Sequence, residues 1–471
     1  MGLDLAGAAA AFGGAVTVVG GRVDISNPAS LQSEAMDQLV WSAVFGDGAA
    51  KESARALLWE LGQATGARPA SIHDLYLARG RGECGGFTVP AINIRMIAYD
   101  TARAVFRAAK ACDGAAILIE IARSEIAYTD QRPAEYVAVI IAAALREGYH
   151  HPLFIQGDHC QVNATKYNAN AEVEVEEVKK LIGEEIAAGF FNIDVDTSTL
   201  VDLSFPTLEE QQRVNFERAA EITKFIRDHE PKGITISVGA EIGEVGHKNS
   251  TVEELHAFMQ GYNKTLKALG DYEGIAKISV QTGTSHGGVV LPDGSIADVK
   301  LDIEALEALS KAARDDYGMG GAVQHGASTL PGNAFGNFPR VETAEIHLAT
   351  NFQTIVWDHP ALPAELRERA YRWLDENAQS EKKSGDSAEQ FYYKARKRAI
   401  GPFKREMWSL PASVRQQISA DLEKTFAFLF EQLHVTGTAD LVRRFVTAPA
   451  LAHGALTHSG ALAEDDPDAG E

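Results

Sequence analysis

Cysteine is scarce in this chain of 471 residues, which has only Cys84, Cys112 and Cys160. An odd, widely spaced set cannot build a disulfide framework and suits a reducing compartment. A basic excess is also missing, since 44 Lys and Arg face 65 Asp and Glu, for a net charge of −21 and a pI near 5.1. Binding a phosphate backbone requires a concentrated cationic surface that releases counterions, so nucleic acid is not expected as a partner. No apolar run approaches the roughly 20 residues of a membrane span, and residues 1–19 lack a basic head before an apolar core. These absences predict a soluble, cytoplasmic chain with no membrane partner.

What is present is a rhythm. Residues 1–82 carry helical patterning in Leu31–Phe45, Ala49–Thr65 and Ala70–Ala78, and read as an N-terminal helical extension. From Gly86 onward, short apolar runs alternate with amphipathic stretches, the pattern of βα units around a parallel sheet. The runs are Phe87–Ile94, Ala115–Ile121, Pro152–Gln156, Phe190–Val195, Ile234–Ala240, Ala276–Val280, Gly321–Gln324 and Glu345–Leu348. Helices are predicted between them at Ile97–Ala111, Pro133–Glu147, Ala171–Ala188, Leu208–His229, Val252–Leu269, Asp302–Asp316 and Arg340–Thr343, with caps at Thr207 and Thr251. The expected class is α/β, a (β/α)8 TIM barrel over residues 83–358. An open dinucleotide-binding sheet loses its main support because the first βα turn has no GxGxxG. Residues 359–471 are predicted as a C-terminal helical extension with an acidic, disordered tail at Glu464–Asp468. Its apolar stretch Phe426–Leu433 could pack on its own barrel or on a second copy.

In a parallel barrel the chemistry gathers at the carboxyl ends of the strands. Here the third run ends in Asp158-His159, the fourth in Asp194-Val195-Asp196, the fifth in Glu241, the sixth in Gly283-Thr284-Ser285-His286-Gly287 and the seventh in His325-Gly326-Ala327-Ser328. Taken singly, a histidine is more often a hydrogen-bonded structural residue than a ligand, and a strand-end aspartate more often a helix cap. Taken together, three imidazoles and a carboxylate on separate strand ends suit zinc or a similar divalent cation with a position open to substrate. The glycines after His286 and His325 suit a phosphate cradle, or simply tight turns. Cys160 reads as a buried thiol.

The order Asp-His, Glu-Ile-Gly-Glu-Val-Gly, Gly-Thr-Ser-His-Gly and His-Gly-Ala-Ser resembles that of the class II, metal-dependent fructose-bisphosphate aldolases and their ketose-bisphosphate relatives. The resemblance covers residues 86–358. It implies retro-aldol cleavage of a ketose phosphate or bisphosphate in carbohydrate metabolism such as glycolysis. The long helical C-terminal segment, of a kind through which barrels often associate, separately predicts a homodimer or larger homo-oligomer. His159, His286 and His325 would hold the zinc, with Glu241 a ligand of the same metal or of its alternative position and Asp196 near a second metal position. The resemblance also allows a monovalent cation. Asp158 would exchange a proton with the aldehyde half, and Asn93, Gly287, Gly326, Ser328 and Thr350 would meet substrate and phosphate.

Departures from the family pattern fall on substrate and proton-transfer positions. Ala327 and Thr329 replace two glycines, and the eighth strand has His347-Leu348-Ala349-Thr350 in place of Asn-x-Asp-Thr. Ala122 stands where a serine is expected, with Ser124 nearby. The loop after the fifth strand reads Gly246-His247-Lys248-Asn249-Ser250 without the usual glutamates, leaving Glu244 and His247 as its nearest acid/base groups. Two alternatives follow: a non-catalytic barrel subunit supporting a separate aldolase, which the retained ligand set disfavours, and a metal-dependent barrel hydrolase.

Overall fold

A computed structural model describes residues 3–243, 248–283 and 301–453. The expectations for Glu244, His247, His286, Gly287 and the acidic tail lie outside the described residues. The barrel strands are β1 (Val89–Asn93), β2 (Leu118–Ala122), β3 (Leu153–Gln161), β4 (Asn192–Asp196), β5 (Ser237–Glu241), β6 (Lys277–Val280), β7 (Ala322–Gln324) and β8 (Glu345–Leu348). Each pairs in parallel with its neighbours in chain order, and β8 returns to β1, so the sheet closes into a (β/α)8 barrel. The strands are buried almost throughout, which is why they read as continuous apolar runs rather than alternating ones.

All eight predicted runs overlap a strand, but β3 corrects its own end. It continues to Gln161 instead of stopping at Gln156, because its pairing with β4 skips between Gly157 and Cys160. Asp158 and His159 there lie opposite Asp194 alone, which makes a β-bulge. The short helix predicted at Arg340–Thr343 lies three residues earlier, at Asn337–Arg340, and a further helix, Thr350–Asp358, follows β8.

The N-terminal segment is not helical throughout. Val16–Val19 and Arg22–Ile25 form an antiparallel hairpin around Gly20-Gly21, and Pro69–Ala70 pairs with Leu153 and Phe154 of β3 before β4 joins it at Gln156. The helix His73–Gly80 then brings Tyr76 to the barrel interior, where its hydroxyl donates to Glu345 at the start of β8. In the C-terminal segment, Ala412–Gln432 packs on Ala98–Ala111, with Arg415 bound to Asp100 at 2.8 Å and Phe426 against Phe352 at 4.8 Å. Phe426–Leu433 is thereby seated on its own barrel. One apolar core joins Leu57, Ile193 and Phe426, so these segments add contact area to the barrel they flank.

Candidate active site

The bulge in β3 explains how two adjacent residues serve one cavity. In a regular strand, neighbours point to opposite faces. His159 instead takes a left-handed conformation, φ 42°, which lets its ring turn in beside Asp158. That conformation is costly for a residue with a side chain, on the order of 1–2 kcal/mol, and is held by surrounding contacts. The strand then resumes with Cys160 facing outward, its thiol 3.3 Å from Glu185 Oε2 in the layer between barrel and helix. Gly157 is glycine for a local reason: a Cβ there would lie 2.4 Å from Glu185 Oε2.

His159 Nδ1 lies 3.1 Å from Glu241 Oε1 and 3.3 Å from Asp196 Oδ2. His325 Nε2 lies 3.5 Å from the same Glu241 oxygen and 2.9 Å from Ser279 Oγ. His159, Glu241 and His325 therefore each offer a donor atom within 4.8 Å of the others. Asp196 belongs to no such set among the described residues; it shares the His159 Nδ1 with Glu241 and accepts from Ser198 N at 3.0 Å, Ser198 Oγ at 2.7 Å and Gln161 Nε2. Burial alone would lower the His159 pKa, but Asp158, Glu241 and Asp196 overcome it and raise it well above 6.5. Burial, with Asp196 beside it, pushes Glu241 up to about 7. Asp196 is held below the usual carboxylate range, despite its burial, by its bonds to His159, Ser198 and Gln161.

Beneath this set lies a buried network that sequence reasoning missed. Lys277 Nζ is 2.8 Å from Asp194 Oδ1, 2.6 Å from Glu345 Oε1 and 2.7 Å from Gln156 Oε1. Although burial opposes its charge, the two carboxylates raise Lys277 to about 12, so it is an ammonium and not a free amine nucleophile. Gly239 on β5 makes room for this pair, since a Cβ would meet Asp194 Oδ1 at 2.3 Å and Lys277 Cε at 2.8 Å. Above Lys277, His347 Nε2 is 2.7 Å from Glu345 Oε1, and His347 Nδ1 is 3.1 Å from Asp158 Oδ1 and 3.2 Å from Glu120 Oε2. The His325 and His347 rings lie 4.0 Å apart between centroids. His347 stands at a strand end like the other histidines, and extending the strand-end reading to β8 would have found it. Glu120, Glu345 and Lys277 lie within or at the start of their strands, where nothing in the sequence marks them.

The remaining predicted contacts are dispersed. Asn93 ends β1, bonded to Glu125 and accepting from Arg95 Nε at 3.1 Å. Gly326 is left-handed at φ 68° and opens a turn, Ala327–Thr329, that packs against β8 and the helix beginning at Thr350. Ser328 Oγ in that turn accepts from Ala349 N at 2.6 Å. The structure thus sets Gly326, Ser328 and Thr350 near one another, and ties Asn93 to Glu125 and Arg95.

A closed parallel barrel with imidazoles and carboxylates gathered at the strand ends defines the class of this protein, a barrel with a donor set suited to a divalent cation. Residues 81–406 match the family model described as fructose-bisphosphate aldolase class-II, and the chain belongs to that family. Its members are aldolase-type lyases that generally depend on a divalent metal and bind sugar phosphates. Among solved structures, a probable tagatose 6-phosphate kinase from Sinorhizobium meliloti is 18% identical, covering 78% of this chain and 96% of its own at a TM-score of 0.52. The fructuronate-tagaturonate epimerase of Cohnella laeviribosi is 12% identical, covering 81% and 86% at 0.53. A fructose-bisphosphate aldolase from Campylobacter jejuni is 19% identical, covering 78% and 94% at 0.45. No curated protein matches the chain. Among the described residues, no helix is long and apolar enough to cross a membrane.

Proposed function

We propose that this chain is a metal-dependent class II aldolase that reversibly cleaves a ketose phosphate or bisphosphate into a triose phosphate and an aldehyde. The observation that carries the reading is the convergence of His159, Glu241 and His325 beside Asp158. Ligands about 2.0–2.1 Å from a tetrahedral zinc lie about 3.3 Å from one another. The 3.1 and 3.5 Å separations of His159 and His325 from Glu241 fit that spacing. Those three residues would hold the cation, with His286 as a further ligand and Asp196 beside the same His159 Nδ1 that faces Glu241. When bound, the cation supplies Lewis-acid stabilisation for charge that develops on a carbonyl oxygen.

Asp158 is the base. Its carboxylate takes the proton of the hydroxyl beside the scissile carbon–carbon bond, that hydroxyl oxygen becomes the aldehyde carbonyl, and the electron pair of the broken bond passes to the ketone half as an enediolate. His347 holds the Asp158 carboxylate from the side of β8. Glu244 or His247 returns a proton to the enediolate carbon. Gly326 and Ser328 offer a turn for the phosphate beside Thr350. A non-catalytic scaffold would not need these donors, and the reading therefore favours the enzyme, acting as a cytoplasmic homo-oligomer with the barrel at residues 83–358 and flanking extensions.

The test is retro-aldol cleavage of a panel of ketose phosphates coupled to triose detection, with and without chelator. Chelator-sensitive turnover of at least one sugar supports the proposal. No cleavage of any sugar with Zn2+, Co2+ or Mn2+ overturns it.

A further inference from the structure

We propose that Arg123 and Glu174, which lie outside the donor set, are positioning residues: their ion pair locks the end of β3 so that His159 stays turned toward its cation. The ground is a gap in the sheet. Ala122 opposite Asp158 is the last rung between β2 and β3. At Arg123 the chain turns into the helix Arg123–Thr129, while β3 runs on through His159 and Cys160 to Gln161. Among the described residues, that last stretch of β3 has a strand beside it on the β4 side alone.

Arg123 fills the missing side. Successive residues of a strand aim their backbone groups at opposite neighbours. Val162 N donates to Asp196 O on β4 at 2.9 Å, so Gln161 O faces the side that β2 has left. Arg123 Nη1 donates to that carbonyl at 2.7 Å and to Glu174 Oε1 at 2.6 Å. Glu174 stands in the first turn of the helix Ala171–Ala188, is 2% exposed, and accepts at the same oxygen from Asn163 N at 2.9 Å. One ion pair thus ties Gln161 and Asn163, both just past the bulge, to two helices outside the barrel.

The clamp reaches the site through Gln161. With its backbone fixed, the Gln161 side chain donates to Asp196 Oδ2, the oxygen 3.3 Å from His159 Nδ1. The left-handed backbone of His159 persists only where its surroundings enforce it. Before the bulge β2 and β4 enforce it together; after the bulge β4 shares that task with Arg123 and Glu174. A planar guanidinium fixes the directions of its bonds, whereas a lysine ammonium carries the same charge on a flexible stem. The effect on the cation rests on His159 as its ligand, and the effect on cleavage rests on the aldolase reading above.

The experiment combines equilibrium dialysis of the full chain against Co2+, amide hydrogen exchange and the cleavage assay. It compares the wild type with Arg123→Met, Arg123→Lys and Glu174→Gln, and with Arg415→Met, a control that breaks the ion pair to Asp100 in the C-terminal segment. Arg123→Met is expected to weaken Co2+ binding by about 10-fold, the low end for loss of a supporting partner. It should also lower kcat with KM little changed, and speed exchange at residues 159–163 but not elsewhere in the barrel. Glu174→Gln should act in the same direction, Arg123→Lys should recover part of the loss, and Arg415→Met should show none of it. Wild-type Co2+ affinity in both Arg123→Met and Glu174→Gln overturns the proposal, as does an equal loss in Arg415→Met, which marks general destabilisation. If Arg123→Met fails to fold, Glu174→Gln decides by the same readings. Weakened Co2+ binding in the variants, with no cleavage of any ketose phosphate by the wild type, supports the clamp and overturns only the aldolase reading. A wild type that takes up no Co2+ overturns both.

Discussion

His347 Nδ1 sits 3.1 Å from Asp158 Oδ1, tying β8 to β3 across the barrel mouth, with the other ring nitrogen 2.7 Å from Glu345. The contact fixes where the Asp158 carboxylate points. Replacing His347 by Gln is expected to lower kcat by about 10–100-fold, the usual cost of losing such a supporting partner, with a smaller change in KM. Steady-state kinetics at one equivalent of metal check this; an unchanged kcat would show that Asp158 is held by other means.

The Lys277–Asp194–Glu345 group is fully buried in the barrel, with these residues 0, 1 and 0% exposed. Lys277→Met removes the buried ammonium from between Asp194 and Glu345 and is expected to destabilise the fold by about 3–5 kcal/mol. Gly239→Ala should do comparable damage by pushing a Cβ into Asp194 and Lys277 Cε. Urea unfolding measures both. Because Lys277 is a paired ammonium, borohydride added during turnover is expected to leave the mass of the chain unchanged.

Glu185 carries a pH dependence that is separate from catalysis. Burial raises its pKa from 4.5 to about 8. The folded state therefore binds a proton that the unfolded state releases, and this contribution is fully present below pH 4.5 and is lost as the pH rises through 8. Stability should fall across that window with a slope of at most about 1.4 kcal/mol per pH unit. Glu185→Gln is expected to remove that slope, which denaturant unfolding at several pH values detects.

Metal binding should release protons. Without a cation, Asp158, Glu241 and Asp196 outweigh burial and keep His159 protonated above its ordinary range. A cation that takes this nitrogen must displace that proton, so affinity falls as the pH is lowered. Calorimetry in buffers of different ionisation enthalpy should show proton release at neutral pH; heat independent of buffer would contradict it.

Much of this architecture was legible because a parallel barrel imposes two simple patterns. Doubly buried strands read as apolar runs, and all eight were found; the strand ends singled out in the sequence, Asp158, His159, Glu241 and His325, lie close together in the structure. The bulge was not legible, since nothing in Gln156-Gly157-Asp158-His159 marks a left-handed histidine, and the pairing skip depends on β4 lying alongside. The Lys277 network was hidden for a related reason. Its members come from Gln156, Asp194, Lys277 and Glu345 on four strands, each looking locally like an ordinary strand residue. The hairpin at Val16–Ile25 was overlooked because it is short and half-exposed, so no buried face announces it.

The central claim is that His159 holds the catalytic cation while Asp158, its neighbour on the bulge, moves the proton. The most direct measurement is metal content and cleavage rate, taken together, for the wild type, His159→Ala and Asp158→Asn. Asp158→Asn should retain one equivalent of metal while its cleavage rate falls by about 10²–10⁴-fold, the range of a lost general base. His159→Ala should lose metal and cleavage together. Wild-type turnover in Asp158→Asn, or full metal content and activity in His159→Ala, would contradict the assignment.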